Sequence, residues 1–504
     1  MVVSVMETHF LQFPSISTLL GLVGILLALF IILPGFNRQR KEPPGPRRLF
    51  LFGNLLQLNP KSLESTLRDL RKKHGPVFTF HFGPQKVVVL AGCKMIKQAL
   101  INRNAFSVKA KSAIIEDLKL NHGIAFANGE SWKEMRSFAM SSLKGKEKWE
   151  EKIIEESQYL IDVMQEKDGE AFDTTQPVSH AVCNVISSLV YGKRFEYDDP
   201  VYKSMVARTT RNTYLMGSTS IQLYNLFPRL FHWIGARREL MENSFANRRH
   251  MKELIKGLEE TFNPQMCRGV VDSFFARKIQ HEASGTTNSH YHEDNLLLTV
   301  VNLFTAGTDT TSSTLRYALL LMAKYPKIQD RVQGELSRVV GGRQVRLQDR
   351  KNLPYTDAVI HEIQRMASTV PSVLRCASRD VTFQEYFIKK GTPVLVWLSS
   401  ALEDEDEWEQ PHTFNPAHFL DKDGNFRKRE AFLPFSAGAR VCAGESLARM
   451  ELLLFFTSLL QHFRFTPPPG VSKDELDLTQ VGGFTQSPLP HELCPKSYHR
   501  MKET

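Results

Sequence analysis

Cysteine is scarce in this sequence, and the few cysteines lie far apart. The 504 residues contain six of them, with no CxxC pair and no compact group. This spacing argues against a disulfide scaffold and indicates free thiols in a reducing compartment. Three histidines, His281, His290 and His292, lie beside no cysteine or carboxylate set at zinc-ligand spacing, so the segment that contains them is interpreted as a solvated loop.

A concentrated basic patch is also missing. The formal net charge is +10, but the 64 Lys and Arg residues are dispersed among 54 Asp and Glu residues, without the interleaved aromatics of a nucleic-acid binder. We therefore expect no nucleic-acid partner. A basic face toward an acidic protein or an anionic membrane surface remains open.

One long segment has no charge at all. Residues 16–33, ISTLLGLVGILLALFIIL, form an 18-residue apolar run, which is at the lower limit for crossing a bilayer. Arg38, Arg40 and Lys41 follow it closely, so the positive-inside rule places the rest of the chain in the cytosol. A cleaved signal peptide is the alternative, but it would need a basic start and a small-residue cleavage site. The sequence predicts an N-terminal transmembrane anchor over residues 1–35.

A basic, proline-rich hinge is predicted over residues 36–47. Its prolines at 43, 44 and 46 fix φ and favour an extended stalk, although a generic linker would have the same composition. No Gly/Ser-rich linker or repeat divides the remainder of the chain, so residues 48–504 are expected to form one large domain.

Helical periodicity with polar breaks fills most of this domain, and strand-like patterns are few. The stretch PVFTFHFGPQKVVVL, residues 76–90, has two β-branched and aromatic runs around Gly83 and predicts a hairpin. TPVLVWL, residues 392–398, predicts a further strand. The expected fold is mainly α with a small β portion.

The most unusual predicted helix covers residues 295–324 and is ended by Pro326. At 1.5 Å per residue it would extend about 45 Å, enough to cross a domain. Its ends are apolar, but its middle, TAGTDTTSST, contains hydroxyls and one carboxylate, and each such group left unpaired when buried costs about 1–3 kcal/mol. We expect Gly307 to allow a close approach and the Thr310 hydroxyl to bond the carbonyl of Ala306. A Thr-rich packing helix would look similar.

The stretch FSAGARVCAG, residues 435–444, places one cysteine among small residues and glycines. Directly behind it, an apolar segment predicts a buried helix over residues 447–460. A thiol at the start of such a helix lies where the helix dipole and unpaired N–H groups favour negative charge.

Two shorter motifs contain pairs of side chains on one helix face. HEIQR places Glu362 and Arg365 three residues apart, close enough to pair, as many surface residues do. GESWKEMR places Trp132 and Arg136 one turn apart, where an indole N–H and a guanidinium suit an anionic ligand or a surface cation–π pair.

Together these motifs resemble those of the cytochrome P450 family, across essentially the whole chain. FSAGARVCAG is similar to the family's haem-binding loop FxxGxRxCxG, AGTDTT to its oxygen-activating motif, and Glu362-x-x-Arg365 to its ExxR element. The N-terminal anchor, the PPGP hinge and WKEMR also stand where the family has them. In detail the sequence looks most like the vertebrate microsomal family two and its fish branch.

The resemblance implies a haem b cofactor, iron protoporphyrin IX, whose axial iron ligand is the thiolate of Cys442. It implies that Thr310 and Asp309 deliver protons while oxygen is activated, and that Glu362 and Arg365 are structural. The candidates for holding the two haem propionates are Trp132, Arg136, Arg375 and Arg440.

Three positions depart from the usual family pattern. Arg375 stands where a propionate-binding histidine is usual, Lys109 aligns with a haem-facing arginine, and His418 replaces the arginine of the PxRF element. The local geometry at the propionates is therefore expected to differ. By family position, the substrate-pocket candidates are mainly apolar, which favours a small lipophilic guest but would equally suit plain core. They are Ile114, Ile115, Phe304, Ala306, Val370, Leu374 and Phe484.

No phosphate-binding glycine loop or flavin motif is present, so electrons would have to come from a separate protein. The resemblance implies NADPH–cytochrome P450 reductase, an acidic flavoprotein, with cytochrome b5 as a second candidate. It also implies the endoplasmic reticulum membrane, with the catalytic domain on the cytosolic face. The basic residues that are candidates for the reductase-facing surface are Lys133, Lys144, Lys146, Arg427, Lys428 and Arg429.

The leading functional hypothesis is a membrane-bound monooxygenase that inserts one oxygen atom of O2 into xenobiotics, fatty acids or steroids. A haem-thiolate isomerase or dehydratase is an alternative, but such enzymes tend to lack the acid–alcohol pair that Asp309 and Thr310 preserve. A non-catalytic haem-binding membrane protein is a second alternative, which NADPH-dependent turnover with the reductase would exclude.

Overall fold

The structure is a computed structural model that describes residues 41–59, 63–101, 104–167, 169–285 and 289–498. The predicted anchor over residues 1–35 and the hinge before residue 41 lie outside the described residues. Within the described ranges, no helix combines the length and apolarity needed to cross a membrane.

Helices make up most of the described chain, as the sequence predicts. The α-helices are α1 (Leu63–His74), α2 (Cys93–Leu100), α3 (Ala113–Asp117), α4 (Gly129–Ser142), α5 (Lys146–Gln165), α6 (Thr175–Tyr191), α7 (Pro200–Gly217), α8 (Thr219–Leu226), α9 (Pro228–Phe231), α10 (Gly235–Glu260), α11 (Val270–Ala283), α12 (Glu293–Lys324), α13 (Pro326–Val339), α14 (Pro354–Ala367), α15 (Ser399–Leu402) and α16 (Glu445–His462). Short 3₁₀ helices occur at Leu55–Gln57, Asn104–Phe106, Leu347–Asn352, Pro416–Phe419, Gly438–Arg440 and Lys473–Glu475.

The strands are short and form one five-stranded sheet and three smaller ones within the described residues. They are β1 (Val77–Phe82), β2 (Gln85–Ala91), β3 (Val108–Lys109), β4 (Phe172–Asp173), β5 (Ser372–Cys376), β6 (Val381–Phe383), β7 (Tyr386–Ile388), β8 (Pro393–Trp397), β9 (Phe463–Thr466), β10 (Gln480–Gly482), β11 (Gln486–Pro488) and β12 (Glu492–Ser497). The large sheet has the order β1-β2-β8-β5-β3, in which β2 and β8 are parallel and the other pairs antiparallel.

The predicted hairpin and the predicted further strand are both confirmed. Strands β1 and β2 pair from Val77 opposite Leu90 to Phe82 opposite Gln85. Gly83 turns between them with φ of +57°, a conformation that glycine adopts without a Cβ penalty. Strand β8 occupies most of residues 392–398.

Helix α12 crosses the core and is the element around which the site is built. Its 32 residues extend about 48 Å, and it begins two residues before the predicted start. It ends at Lys324 because the residue before a proline is disfavoured in helical conformation, and Pro326 opens α13. Helices α6, α14 and α16 pack against it.

Helix α16 confirms the buried helix predicted behind the cysteine motif. It covers Glu445–His462, slightly more than the predicted residues 447–460, and its central residues are almost all buried. The cysteine motif therefore ends directly at the first turn of a core helix.

Candidate functional site

A cavity of about 330 Å³ lies between α12, α16 and the loop that precedes α16. Cys442 from this loop and Ala306 and Thr310 from α12 lie in its wall. Arg375 of β5 and Arg136 of α4 also line it. Motifs that are more than a hundred residues apart in sequence thus meet around one space.

The backbone of the loop presents Cys442 to this cavity. The loop turns at Gly438, where φ is +72° and a Cβ atom would lie 1.9 Å from the carbonyl oxygen of Leu100. Only glycine tolerates both conditions. The N–H of Cys442 donates to the carbonyl of Phe435 (3.0 Å), which closes the turn.

The thiol of Cys442 lies in a setting suited to a thiolate. Its side chain has accessible surface where it faces the cavity, while the surrounding protein raises the pKa of the thiol by burial. The N–H groups of Gly444 and Glu445 and the charge of Arg136 oppose that rise. Arg136 also donates from Nη2 to the carbonyl of Val441 (2.6 Å). A metal ion in the cavity would hold this sulfur deprotonated.

Four cationic side chains line the same cavity: Lys109, Arg136, Arg375 and Arg440, here called the cation cluster. Lys109 lies opposite Arg375 across the β3–β5 pair, an arrangement of like charges that is unfavourable without an anion. Burial, with repulsion from neighbouring arginines, lowers the pKa of Arg375 to about 10 and that of Arg440 to about 9. Burial and the charges of Arg375 and Arg440 hold the pKa of Lys109 well below its usual value.

Several buried N–H donors of this region have no hydrogen-bond acceptor among the described residues. They are Trp132 Nε1, Arg375 Nε and Nη1, and Arg440 Nη1. The Arg440 guanidinium lies 3.5 Å from the centre of the Trp132 ring, and its other nitrogens donate to the carbonyls of Ser107 (3.0 Å) and Ala127 (2.7 Å). Since a buried donor without a partner costs about 1–3 kcal/mol, the cluster is built for an anion with several acceptor oxygens. A haem with two propionates, beside a thiol that can ligate its iron, fits these residues.

In the polar middle of α12, Thr310 makes the hydrogen bond to Ala306 that the sequence predicts. Its Oγ1 donates to the carbonyl of Ala306 (2.7 Å), and both residues line the cavity. The close approach at Gly307 is made by α6, because a Cβ on Gly307 would lie 2.5 Å from the side chain of Ile186. Other hydroxyls of this block bond neighbouring elements. The pairs are Thr311 with Glu451, Ser313 with Ser487 and Thr314 with Thr369.

Asp309 is buried and accepts a hydrogen bond from the hydroxyl of Thr485. Burial raises the pKa of Asp309 to about 6, against the opposing effects of Thr485 and Arg316. Thr310 lines the cavity, but its neighbour Asp309 is not among the described residues of the cavity wall. The acid and the alcohol of the motif therefore face different surroundings.

The chain matches the cytochrome P450 family over residues 43–495. This chain belongs to the cytochrome P450 family. Cytochrome P450 2K1 of Oncorhynchus mykiss is 57% identical over 495 residues, covering 97% of this chain and 98% of the trout protein. Cytochrome P450 2K6 of Danio rerio is 50% identical (97% and 99% covered), and cytochrome P450 2H2 of Gallus gallus is 39% identical (96% and 99%).

These similarities place the protein in family 2, beside the fish 2K members. The resemblance drawn from the sequence motifs is thereby confirmed. As a family-2 cytochrome P450, the protein is a haem-thiolate monooxygenase. The comparisons do not support the isomerase, dehydratase or non-catalytic alternatives.

The ExxR pair of this cytochrome P450 is fully buried on α14. Arg365 donates from Nε and Nη2 to the two carboxylate oxygens of Glu362, both at 2.8 Å. It also donates to the carbonyls of Leu402 (2.8 Å) and Pro411 (2.6 Å). His418 contacts Glu362 through Nδ1 (3.1 Å), so the histidine that replaces an arginine still joins the pair. The arrangement links α14 to the segment between α15 and the cysteine loop.

The substrate-pocket candidates predicted from the sequence lie in different parts of the structure. Ala306 and Val370 line the cavity. Phe304 has no accessible surface and packs in the main core, so it does not line this cavity. Leu374 (40% exposed) and Phe484 (49% exposed) lie at accessible positions, and Phe484 contacts the ring of Phe126. The two isoleucine candidates, Ile114 and Ile115, belong to a smaller cluster that includes α8 and α10.

A charged residue of the cavity wall was missed by sequence reasoning. Glu451 lies in α16 with 1% of its surface exposed, and it lines the cavity beside Thr311. A signal was present, because this glutamate is the only charged residue in the apolar run MELLLFFTSLL. A buried carboxylate needs a partner or a proton, so an isolated one in a core helix marks a special position.

Proposed function

We propose that this cytochrome P450 is a membrane-anchored enzyme that oxygenates small lipophilic compounds such as xenobiotics, fatty acids or steroids, with electrons from NADPH through a separate reductase. The observation that supports this best is the shared cavity, where Cys442 and Thr310 face one space beside the cation cluster. Much of the remaining wall is apolar, including Ile124, Leu303 and Val370, which suits an apolar guest.

The loop and the first turn of α16 would hold the haem iron. When bound, the haem supplies the redox chemistry that activates oxygen. The thiolate of Cys442 would ligate the iron, and the N–H groups of Gly444 and Glu445 would temper donation from its sulfur.

The propionates would be held by the donors that have no partner among the described residues. Trp132, Arg375 and Arg440 present these N–H groups, and Arg136 braces the loop through the carbonyl of Val441. Lys109 adds a fourth positive charge. Arg375 would do this work as a cation at neutral pH where the family pattern has a histidine.

The hydroxyl of Thr310 would orient the proton donor in the cavity. Since its own hydrogen is given to Ala306, its lone pairs are free to accept a hydrogen bond from a water molecule or from a substrate oxygen. The raised pKa of Asp309, about 6, suits proton transfer near neutral pH. Because Asp309 is bonded to Thr485, a relay from it to the cavity would need a side-chain rotation or a chain of waters.

Replacing Thr310 by alanine is expected to leave haem binding almost unchanged while uncoupling turnover. Positioned proton transfer contributes about 10²- to 10⁴-fold, so the product formed per NADPH oxidised should fall far more than NADPH consumption does, and hydrogen peroxide should accumulate. The measurement is the product-to-NADPH ratio with peroxide quantified alongside. Thr310→Ser, which keeps the hydroxyl, is the control. A ratio in Thr310→Ala equal to that of the unmodified enzyme would reduce Thr310 to a packing role.

Attachment to the endoplasmic reticulum membrane is proposed from the N-terminal apolar run and from exposed apolar side chains on the domain. Residues 49–52, LFLF, are all exposed, and so are Leu230 and Trp233. Residues that follow or precede these positions in the chain meet at Gly83, where a Cβ would lie 2.9 Å from the ring of Phe227 and 3.8 Å from the side chain of Leu55. This shared apolar surface supports a domain that rests on the bilayer to which it is anchored.

Deleting residues 1–35 is expected to yield a folded, haem-loaded domain that still binds membranes, though more weakly. The reason is that the described core begins after this segment and keeps its exposed apolar surface. The checks are the haem content of the purified protein and co-sedimentation with phospholipid vesicles. Failure to incorporate haem would show that the domain boundary lies elsewhere.

A reductase-facing surface is proposed from the basic candidates around α4 and in the segment that precedes the cysteine loop. Of the candidates, Lys133 is paired with Glu130 (2.6 Å), and Arg429 is largely buried over the Trp408 ring. Among the candidates whose side chains the structure describes, which leaves out Lys146, the exposed ones without an ion pair are Lys144, Arg427 and Lys428. They are the ones best placed to attract an acidic flavoprotein, and cytochrome b5 is a second acidic partner of the same kind.

A further inference from the structure

Arg449 lies in the second turn of α16, directly behind the cysteine loop, and every nitrogen of its guanidinium contacts another side chain. Its Nε and Nη2 contact Oε1 of Glu445, both at 3.0 Å, and its Nη1 donates to Nε2 of His361 on α14 (3.0 Å). The guanidinium also lies 4.8 Å from the centre of the Phe435 ring. This side chain therefore joins the start of α16, α14 and the cysteine loop.

His361 is the buried residue that fixes the direction of this guanidinium. Arginine has no acceptor atom, so Nε2 of His361 must be the accepting nitrogen and Nδ1 must carry the proton. Nδ1 donates to the carbonyl of Asp357, one turn earlier on α14 (2.7 Å). Three phenylalanine rings surround the imidazole at centroid distances of 4.6 to 5.4 Å: Phe419, Phe426 and Phe432. His361 is thus held in one tautomer, with its one accepting atom toward Arg449.

Arg449 in turn contacts residues on both sides of Cys442 in the chain. Phe435, beside the guanidinium, provides the carbonyl that accepts from the N–H of Cys442 (3.0 Å). Glu445, with Gly444, provides the backbone N–H groups that favour negative charge on the sulfur. Since N–H donors draw charge from a thiolate, the positions of these groups affect how strongly the sulfur donates to iron.

We propose that His361 is a positioning residue that holds Arg449 against the cysteine loop and thereby raises the reduction potential of the bound haem; this rests on the proposed assignment of Cys442 as the iron ligand. Without the accepting nitrogen, Arg449 keeps its partly exposed pair with Glu445 but loses the bond that directs it toward Phe435. The N–H groups at the sulfur are then held less firmly, the sulfur donates more strongly, and the oxidised iron is favoured. A lower potential makes transfer of the first electron from the reductase less favourable.

His361→Phe tests this, because it keeps an aromatic ring among the three phenylalanines but has no accepting nitrogen. We expect the variant to bind haem and to keep the red-shifted Soret band of the reduced, carbon monoxide-treated protein. Its reduction potential, measured by spectroelectrochemical titration without substrate or reductase, should shift to more negative values.

Two further variants make the result specific to the hydrogen bond. His361→Gln has an amide oxygen that can accept from Arg449, so the potential should return toward that of the unmodified protein. His462→Phe is the matched control, because Nδ1 of His462 also bonds the carbonyl four residues earlier, that of Ser458 (2.8 Å), but at the far end of α16. It should leave the potential unchanged.

Arg449→Met covers the case in which His361→Phe does not fold, because it removes the other partner of the same bond from a side chain that is 25% exposed. The same negative shift is expected, and its absence would overturn the proposal. Equal shifts in His361→Phe and His361→Gln would also overturn it. A wrong assignment of the iron ligand looks different, because the red-shifted Soret band would then persist in Cys442→Ala. The titration needs no turnover, so it is independent of whether the proposed substrates are oxygenated.

Discussion

Replacing Cys442 by alanine is expected to abolish haem-thiolate ligation completely. Cys442 is the one described cysteine that lines the cavity, and it alone lies in the loop closed by Phe435 and Gly438. Alanine removes the sulfur without disturbing the backbone hydrogen bonds, so the fold should persist while the iron loses its sulfur ligand. The reduced protein treated with carbon monoxide should then lack the red-shifted Soret band of thiolate-ligated haem.

Cys267→Ala provides the control for this experiment. Cys267 is exposed and lies outside the cavity wall, so its loss should leave the Soret band unchanged. If the red-shifted band survived in Cys442→Ala, another residue would have to be the iron ligand and the assignment of the loop would be wrong.

Replacing Arg365 by leucine is expected to prevent accumulation of the folded haem protein. The substitution leaves the carboxylate of Glu362 buried without its bidentate partner and removes the donors to the carbonyls of Leu402 and Pro411. Breaking a buried pair by removing one partner costs about 3–5 kcal/mol. The free energy of unfolding of a domain is typically only about 5–15 kcal/mol, so this loss would remove much of its stability. The measurements are the yield of protein with the thiolate Soret band and its thermal midpoint.

Lys152→Ala is the matched control for burial. Lys152 and Glu155 form an ion pair with the same spacing of three residues and the same 2.8 Å separation, but both side chains are about half exposed. Such pairs contribute about 0–1 kcal/mol, so this variant should fold normally. Equal stability losses in the two variants would contradict the structural role of the buried ExxR pair.

The elements that sequence reasoning placed correctly are those specified by neighbours along the chain. The hairpin at residues 76–90 is marked by two β-branched runs around a glycine, and α12 and α16 by apolar periodicity and by Pro326. The Thr310 to Ala306 hydrogen bond is equally local, because it joins residues one turn apart. Each of these signals lies within a few residues of the structure it predicts.

The environment of the side chains was not predictable in the same way. The sequence shows that Glu362 and Arg365 can pair, but their complete burial depends on the segment around Leu402, Pro411 and His418. Phe304 stands close to Ala306 in sequence, yet it packs in the core because it lies on another side of the same helix.

By itself, the sequence determined the mainly helical fold class, the cysteine loop and the family to which the chain belongs, since these depend on residue type and short-range spacing. Only the tertiary structure decided which acids and cations face the cavity. Asp309 and Glu451 are both buried carboxylates, but their surroundings differ. Thr485 donates a hydrogen bond to Asp309, whereas Glu451 lines the cavity. That difference is set by how α12 packs against α16 and the β10–β11 hairpin, contacts between residues that lie more than a hundred positions apart.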